Sequence, residues 1–202
     1  MRQRNTGGKA SMFSANWKKE IFTIPNLLSL FRIILIPIYM NIYLDATEDH
    51  QYFLAGSILA VSCLTDMVDG IIARKFHMIT NVGKVLDPLA DKLTQLALIL
   101  SLSAKYTVLY PVLALFLVKE LFQGGSFVFF ARKGKVLPGA LWAGKVCTTV
   151  LFLSLILLVL FPRIPDKLVL FLTLVDAGFL LYSFTSYTQA YFGKKSALTD
   201  LE

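Results

Sequence analysis

The chain has 202 residues, of which 56% are hydrophobic and 16% charged, with a net charge of +7 and a mean hydropathy of +0.65. A soluble domain of this length needs a polar surface that this composition does not supply, so a water-soluble globular protein is excluded. The basic excess is spread over the short stretches between apolar runs, where it reports membrane orientation, and no nucleic-acid partner is expected.

The polar, basic opening "MRQRNTGGKASMFSANWKKE" meets no short apolar core with a small-residue cleavage site, so no cleaved signal peptide is expected. Within it, Met12, Phe13, Trp17, Ile21 and Phe22 fall near one helical face, with Lys18 and Lys19 elsewhere. That pattern suits an amphipathic helix lying in the interface among membrane lipids with anionic headgroups; a plain polar tail is the alternative. Six apolar segments then approach or exceed the roughly 18–20 residues that cross a bilayer as a helix: 26–44, 52–74, 86–104, 107–131, 140–161 and 167–191. The predicted fold class is an all-α polytopic membrane protein with six transmembrane helices and an N-terminal interfacial amphipathic helix. Residues 1–25 are read as a cytoplasmic N-terminal segment, 26–192 as one six-helix domain and 193–202 as a cytoplasmic tail.

Basic residues cluster before the first span (Arg2, Arg4, Lys9, Lys18, Lys19), between the second and third (Arg74, Lys75, Lys84), between the fourth and fifth (Arg132, Lys133, Lys135) and at the end (Lys194, Lys195). The alternate loops are poorer, and "DATEDHQ" has none. By the positive-inside rule both termini face the cytoplasm. Cys63 and Cys147 lie singly in apolar sequence and read as space-filling thiols, while His50 and His77 are isolated and are not read as ligands.

Four aspartates break the apolar pattern. Asp66 and Asp69, three apart, share one face of the second span, and Asp87 and Asp91, four apart, share one face at the start of the third. With one helix running toward the cytoplasm and the next returning, the two pairs would face each other at similar depth. A charge in the hydrocarbon region costs about 2.5–3.5 kcal/mol on insertion scales, so four scattered on lipid would be costly. Gathered around divalent cations they become compatible, and hard oxygen donors favour Mg²⁺, Mn²⁺ or Ca²⁺. Gly70 and Ala73 leave room for a ligand, Arg74 offers a planar fork to a phosphate, and Gly83 relaxes the connecting loop. Asp87 before Pro88 also reads as a helix N-cap followed by proline at the first position.

The segment as a whole, Asp66-x2-Asp69-Gly70-x2-Ala73-Arg74-x8-Gly83-x3-Asp87-x3-Asp91, resembles the signature of the CDP-alcohol phosphotransferases, also called CDP-alcohol phosphatidyltransferases. The resemblance implies that Asp66, Asp69 and Asp87 bind a pair of divalent ions, two Mg²⁺ (or Mn²⁺), with Asp91 near the second ion and acting as catalytic base. It implies that Asp69, Gly70, Ala73, Arg74 and Gly83 hold the CDP moiety, that an acceptor hydroxyl attacks the β-phosphate of a CDP-linked lipid with release of CMP, and that the protein is a homodimer in a bacterial cell membrane.

The acceptor is read from a looser likeness. "IPNLLSLFRIILIPI", "LDPLADK", "VKEL" and "GKVCTT" look like the bacterial phosphatidylglycerophosphate synthase branch, which implies CDP-diacylglycerol and glycerol 3-phosphate as substrates. Arg32, Lys119, Arg132, Lys135 and Lys145, with Lys133, would then line an anion pocket for a phosphorylated acceptor; snorkelling to headgroups or structural pairing of Lys119 with a carboxylate are the plainer roles. Lys119 and Cys147 depart from that branch, which usually has arginine and lysine there, so phosphatidylglycerol as acceptor stays open. Intramembrane aspartates are also compatible with a cation transporter, although no inverted halves with interrupted helices are visible.

Overall fold

The computed structural model describes residues 23–76, 80, 82–133, 135–136, 141–192 and 199–200, with the side chains at 67, 69, 70, 73, 74, 84, 131, 135, 136, 199 and 200 outside the description. Among these residues the chain forms six α-helices: α1 (Ile24–Leu44), α2 (Asp49–Lys75), α3 (Gly83–Lys105), α4 (Tyr110–Arg132), α5 (Trp142–Leu160) and α6 (Asp166–Phe192). A 3-10 turn, Thr107–Leu109, leads into α4. Each apolar segment expected from the sequence coincides with one helix, and the ends differ by three residues at most.

Among the described residues, four helices are long and apolar enough to cross a membrane: α1, α4 with the turn before it, α5 and α6. Helices α2 and α3 have the length, 27 and 23 residues, but carry the aspartates and neighbouring basic residues that dilute their apolar content. The amphipathic helix expected at Met12–Phe22 lies outside the described residues. Of the expected tail, Thr199–Asp200 (β2) pairs antiparallel with Lys135–Val136 (β1), with Lys135 opposite Asp200 and Val136 opposite Thr199. This is the departure from an all-helical chain among the described residues, and a two-residue ladder is too short to leave an alternating pattern in sequence.

The chain divides into two compact units, Met1–Pro37 with Leu59–Thr94, and Ile38–Ile58 with Gln95–Glu202. In the second, α6 buries one stripe, Val169, Thr173, Asp176, Leu180, Ser183, Tyr187 and Tyr191. The steps of three and four keep these side chains on a single face, while Phe171 and Leu174 on other faces remain exposed. Helix α5 likewise buries Ala143, Gly144, Cys147, Leu151 and Leu155 and exposes Leu153. Helices that are apolar on every face yet bury only one stripe are built for a hydrocarbon surround. Several hydroxyls in these helices bond back to the preceding turn, as from Thr148 to the Gly144 carbonyl (3.1 Å) and from Thr173 to the Val169 carbonyl (2.8 Å), so these groups need no partner from water.

One end of this unit is closed by aromatic rings. Phe130, Tyr187 and Tyr191 form a buried cluster, with Phe122, Leu141 and Ala190 packed against it. The Leu141 N–H donates to Tyr187 Oη at 3.2 Å. Gly144 lets that ring approach: a Cβ there would lie 2.5 Å from Tyr187 Oη and 2.9 Å from its Cε2. The ring is buried and hydrogen-bonded, so it has little room to give way. Gly144→Ala should therefore lower stability by about 1–3 kcal/mol through overpacking, read as an earlier thermal midpoint in detergent. Gly178→Ala, where nothing lies within 4 Å of the new Cβ, should be neutral or slightly stabilising. Equal midpoints for both variants would contradict this packing.

Candidate active site

The first unit is organised by one face of α1. Asn26, Ser29 and Arg32, three residues apart, are 1%, 0% and 2% exposed. Each reaches a different point on the acid-bearing segment. The Asn26 amide donates to Thr80 Oγ1 at 3.0 Å, and that same oxygen accepts the Gly83 N–H at 2.9 Å, satisfying one of the donors left over at a helix start. Ser29 Oγ donates to Asp87 Oδ1. Arg32 Nη1 donates to Asp66 Oδ1 and, at 2.6 Å, to Asp91 Oδ1. Thus α1 ties α2 to α3 through one nitrogen, and the expected meeting of the two acidic helices is found for Asp66 and Asp91.

The position of Arg32 departs from the anion pocket expected of it: its guanidinium is engaged by carboxylates. A buried cation in an apolar chain takes the nearest acids, because leaving it unpaired costs several kcal/mol. The N-cap reading of Asp87 also fails, since α3 begins at Gly83 and Pro88 lies inside it. Thr80, seven residues before Asp87, supplies the cap oxygen, and Pro88 leaves the carbonyl of residue 84 without its helical donor. Gly83 is explained differently as well. It belongs to α3 rather than to a loop, and a Cβ there would lie 2.6 Å from Asn26 Oδ1 and 3.1 Å from Thr80 Oγ1. Glycine is needed for close approach of α1.

Arg32 is almost wholly enclosed, with its side chain 3% exposed, whereas those of Asp66 and Asp91 are 49% and 48% exposed. The positive group therefore sits beneath, and the carboxylates open outward. Such a donor set suits a hard divalent cation: carboxylate oxygens from two helices already converge on a positive group. Among the described residues no three acids, histidines or cysteines are gathered closely enough to ligate one ion. Asp87 is held by Ser29, and the side chains of Asp69, Gly70, Ala73 and Arg74 lie outside the description.

The remaining basic candidates belong to the second unit. Lys119 is 2% exposed and its ammonium donates to Glu120 Oε1 at 2.7 Å, so the structural pairing considered for it is the one present. Arg132 and Lys145 are exposed, and the backbone of Lys135 lies in the ladder with Asp200. Both cysteines are free, with Cys147 buried. Sequence reasoning passed over Asp176, a 1% exposed acid on α6 near Ser154 of α5. Its signal was only a single acid inside an apolar run. Asn26 and Ser29 are single polar residues in an apolar run, and their equal spacing with Arg32 is the clue to a shared face.

The family model for CDP-alcohol phosphatidyltransferase matches residues 22–182, which takes in α1 through most of α6. Curated relatives from Shigella flexneri and Escherichia coli, each called CDP-diacylglycerol--glycerol-3-phosphate 3-phosphatidyltransferase, are 35% identical over 175 residues, covering 84% of this chain and 94% of the relative. On that match, and on the aspartate-bearing segment that α1 holds together, the chain belongs to the CDP-alcohol phosphatidyltransferase family.

Proposed function

We propose that this chain is an integral membrane phosphatidyltransferase that moves the phosphatidyl group of CDP-diacylglycerol to glycerol 3-phosphate, giving phosphatidylglycerophosphate and CMP. The observation that carries the reading is the convergence of Asp66 and Asp91 on one buried nitrogen, within a chain whose relatives are named for that reaction. Helices α2 and α3 cross the bilayer with the other four, giving six spans, both termini in the cytoplasm and the acids near the inner leaflet. That depth suits a water-soluble nucleotide head attached to membrane-embedded acyl chains. The N-terminal segment lies along the same surface, and the family resemblance points to a homodimer.

Asp66, Asp69, Asp87 and Asp91 would hold two divalent cations, Mg²⁺ or Mn²⁺, which when bound supply charge neutralisation to the diphosphate and to the departing CMP. Arg74 places its fork on a phosphate, while Gly70 and Ala73 leave the helix surface low enough for the nucleotide to approach beside Asp69 and Gly83. Asp91 accepts the proton of the acceptor hydroxyl as that oxygen bonds to phosphorus and the bond to the CMP oxygen breaks. Arg132, Lys135 and Lys145 would supply positive charge for the phosphate of the acceptor, with Lys119 assigned to its pairing with Glu120 and Arg32 to the carboxylates instead.

Purified protein given CDP-diacylglycerol with glycerol 3-phosphate, phosphatidylglycerol, inositol phosphate or serine in separate reactions tests the acceptor. Phosphatidylglycerophosphate should form from the first, and cardiolipin from the second would replace this assignment. Asp66→Asn, Asp69→Asn, Asp87→Asn and Asp91→Asn should each lower kcat by at least about 100-fold, the scale of a lost acid–base or metal-binding group, in protein that still inserts. Near-normal turnover in any one removes that residue from the site. Lys145→Ala should raise KM for glycerol 3-phosphate several-fold more than KM for CDP-diacylglycerol, as loss of one phosphate contact would; an equal response would take Lys145 out of acceptor binding.

A further inference from the structure

Arg32 has a property that acceptor binding does not explain. It is enclosed to 2% exposure, it stands on the α1 face shared with Asn26 and Ser29, and its Nη1 bridges acids from two different helices. Two carboxylates brought together in an apolar chain repel each other unless a positive charge lies between them. A guanidinium enclosed in the same chain needs the acids just as much. The enclosed guanidinium is therefore tolerable only because of the acids, and the acids can stand close together because of the guanidinium. Both contacts use Oδ1, on side chains that remain half exposed, so the oxygens that neutralise Arg32 belong to acids accessible from outside.

We propose that Arg32 is a built-in counter-cation, one that holds Asp66 and Asp91 together before a divalent ion arrives and competes with that ion for their oxygens. The inference rests on the reading of these aspartates as metal ligands. A divalent ion on Asp66 and Asp91 brings two like charges to one carboxylate pair. The guanidinium must then give up at least part of its hold, and metal affinity is set below what the bare acids would give. Without Arg32 the metal-free acids lose their only described positive partner, and the ion meets no competitor.

The test uses full-length wild type and Arg32→Gln, purified in detergent, with Mn²⁺ alone as the probe. Bound Mn²⁺ is counted by electron paramagnetic resonance, and thermal midpoints are measured in chelator and with Mn²⁺. Arg32→Gln should have a lower midpoint in chelator, bind Mn²⁺ about tenfold more tightly, the effect of one nearby like charge on a binding equilibrium, and gain more in midpoint on adding Mn²⁺. Arg32→Lys, which keeps the charge, should stay within a few-fold of wild-type affinity. Equal or weaker Mn²⁺ binding by Arg32→Gln overturns the proposal while leaving the metal assignment intact. Absence of Mn²⁺ binding in wild type overturns the metal assignment and the proposal with it. A second readout needs no neutral variant: in ¹⁵N-arginine-labelled wild type, the side-chain resonance missing from Arg32→Lys should shift as Mg²⁺ is added, and an unmoved resonance also sinks the idea.

Discussion

A guanidinium shared between Asp66 of α2 and Asp91 of α3 is the contact on which the first unit depends. The charge on Arg32 makes two neighbouring acids compatible, and the acids make a buried arginine tolerable. The enclosed guanidinium does not survive alone, because desolvation of an unpaired charge outweighs what packing returns, and the half-exposed acids gain from it relief of their mutual repulsion. The consequence is positional. Three helices are joined at one nitrogen, so the depth and facing of both carboxylates follow from where Arg32 stands on α1.

The rest of that face extends the same constraint. Ser29 holds Asp87 one turn before Arg32, and Asn26 holds Thr80 a turn before that. Thr80 in turn satisfies the Gly83 N–H, which places the start of α3. The close approach of Asn26 explains why position 83 carries no side chain, since any Cβ would collide with its amide oxygen. Polar residues on α1 thus act as a ruler along the acidic segment, and an aspartate displaced by one residue would lose its partner on that ruler. The second unit is held differently. Rings at Phe130, Tyr187 and Tyr191, a glycine at 144 and hydroxyls bonded to their own helices let α4, α5 and α6 pack closely.

The contrast between the two units follows the chemistry proposed for the chain. Carboxylates that hold divalent ions must be gathered and still open to a ligand, and Asp66 and Asp91 are half exposed while their shared cation is enclosed. A phosphoryl transfer of this kind asks the protein for position and charge more than for covalent chemistry. The mutual dependence of Arg32, Ser29 and the aspartates supplies position. The half-open carboxylates supply the charge.

Six helices, their ends and the acid-bearing segment were legible from residues alone. Apolar runs of membrane length have one low-energy solution, a helix that bonds its own backbone, and acids three and four apart on such runs must share faces. The long spaced signature from Asp66 to Asp91 likewise pointed to the family, because it joins two helices and the loop between them in one pattern. What only the tertiary structure decided was partnership. Arg32 was placed among the acceptor's phosphate ligands because a lone arginine in a span carries no mark of which opposite charge it will meet. Asp87 was legible as a cap before Pro88, but the start of α3 moved to Gly83 once Thr80, held by Asn26 from 54 residues away, supplied the oxygen. The pairing of Lys119 with Glu120 and the ladder between β1 and β2 belong to the same class. Local periodicity determines which face a side chain occupies; only the folded chain determines what stands opposite, since a charge or hydrogen bond acts over a few ångströms of space and not along the sequence.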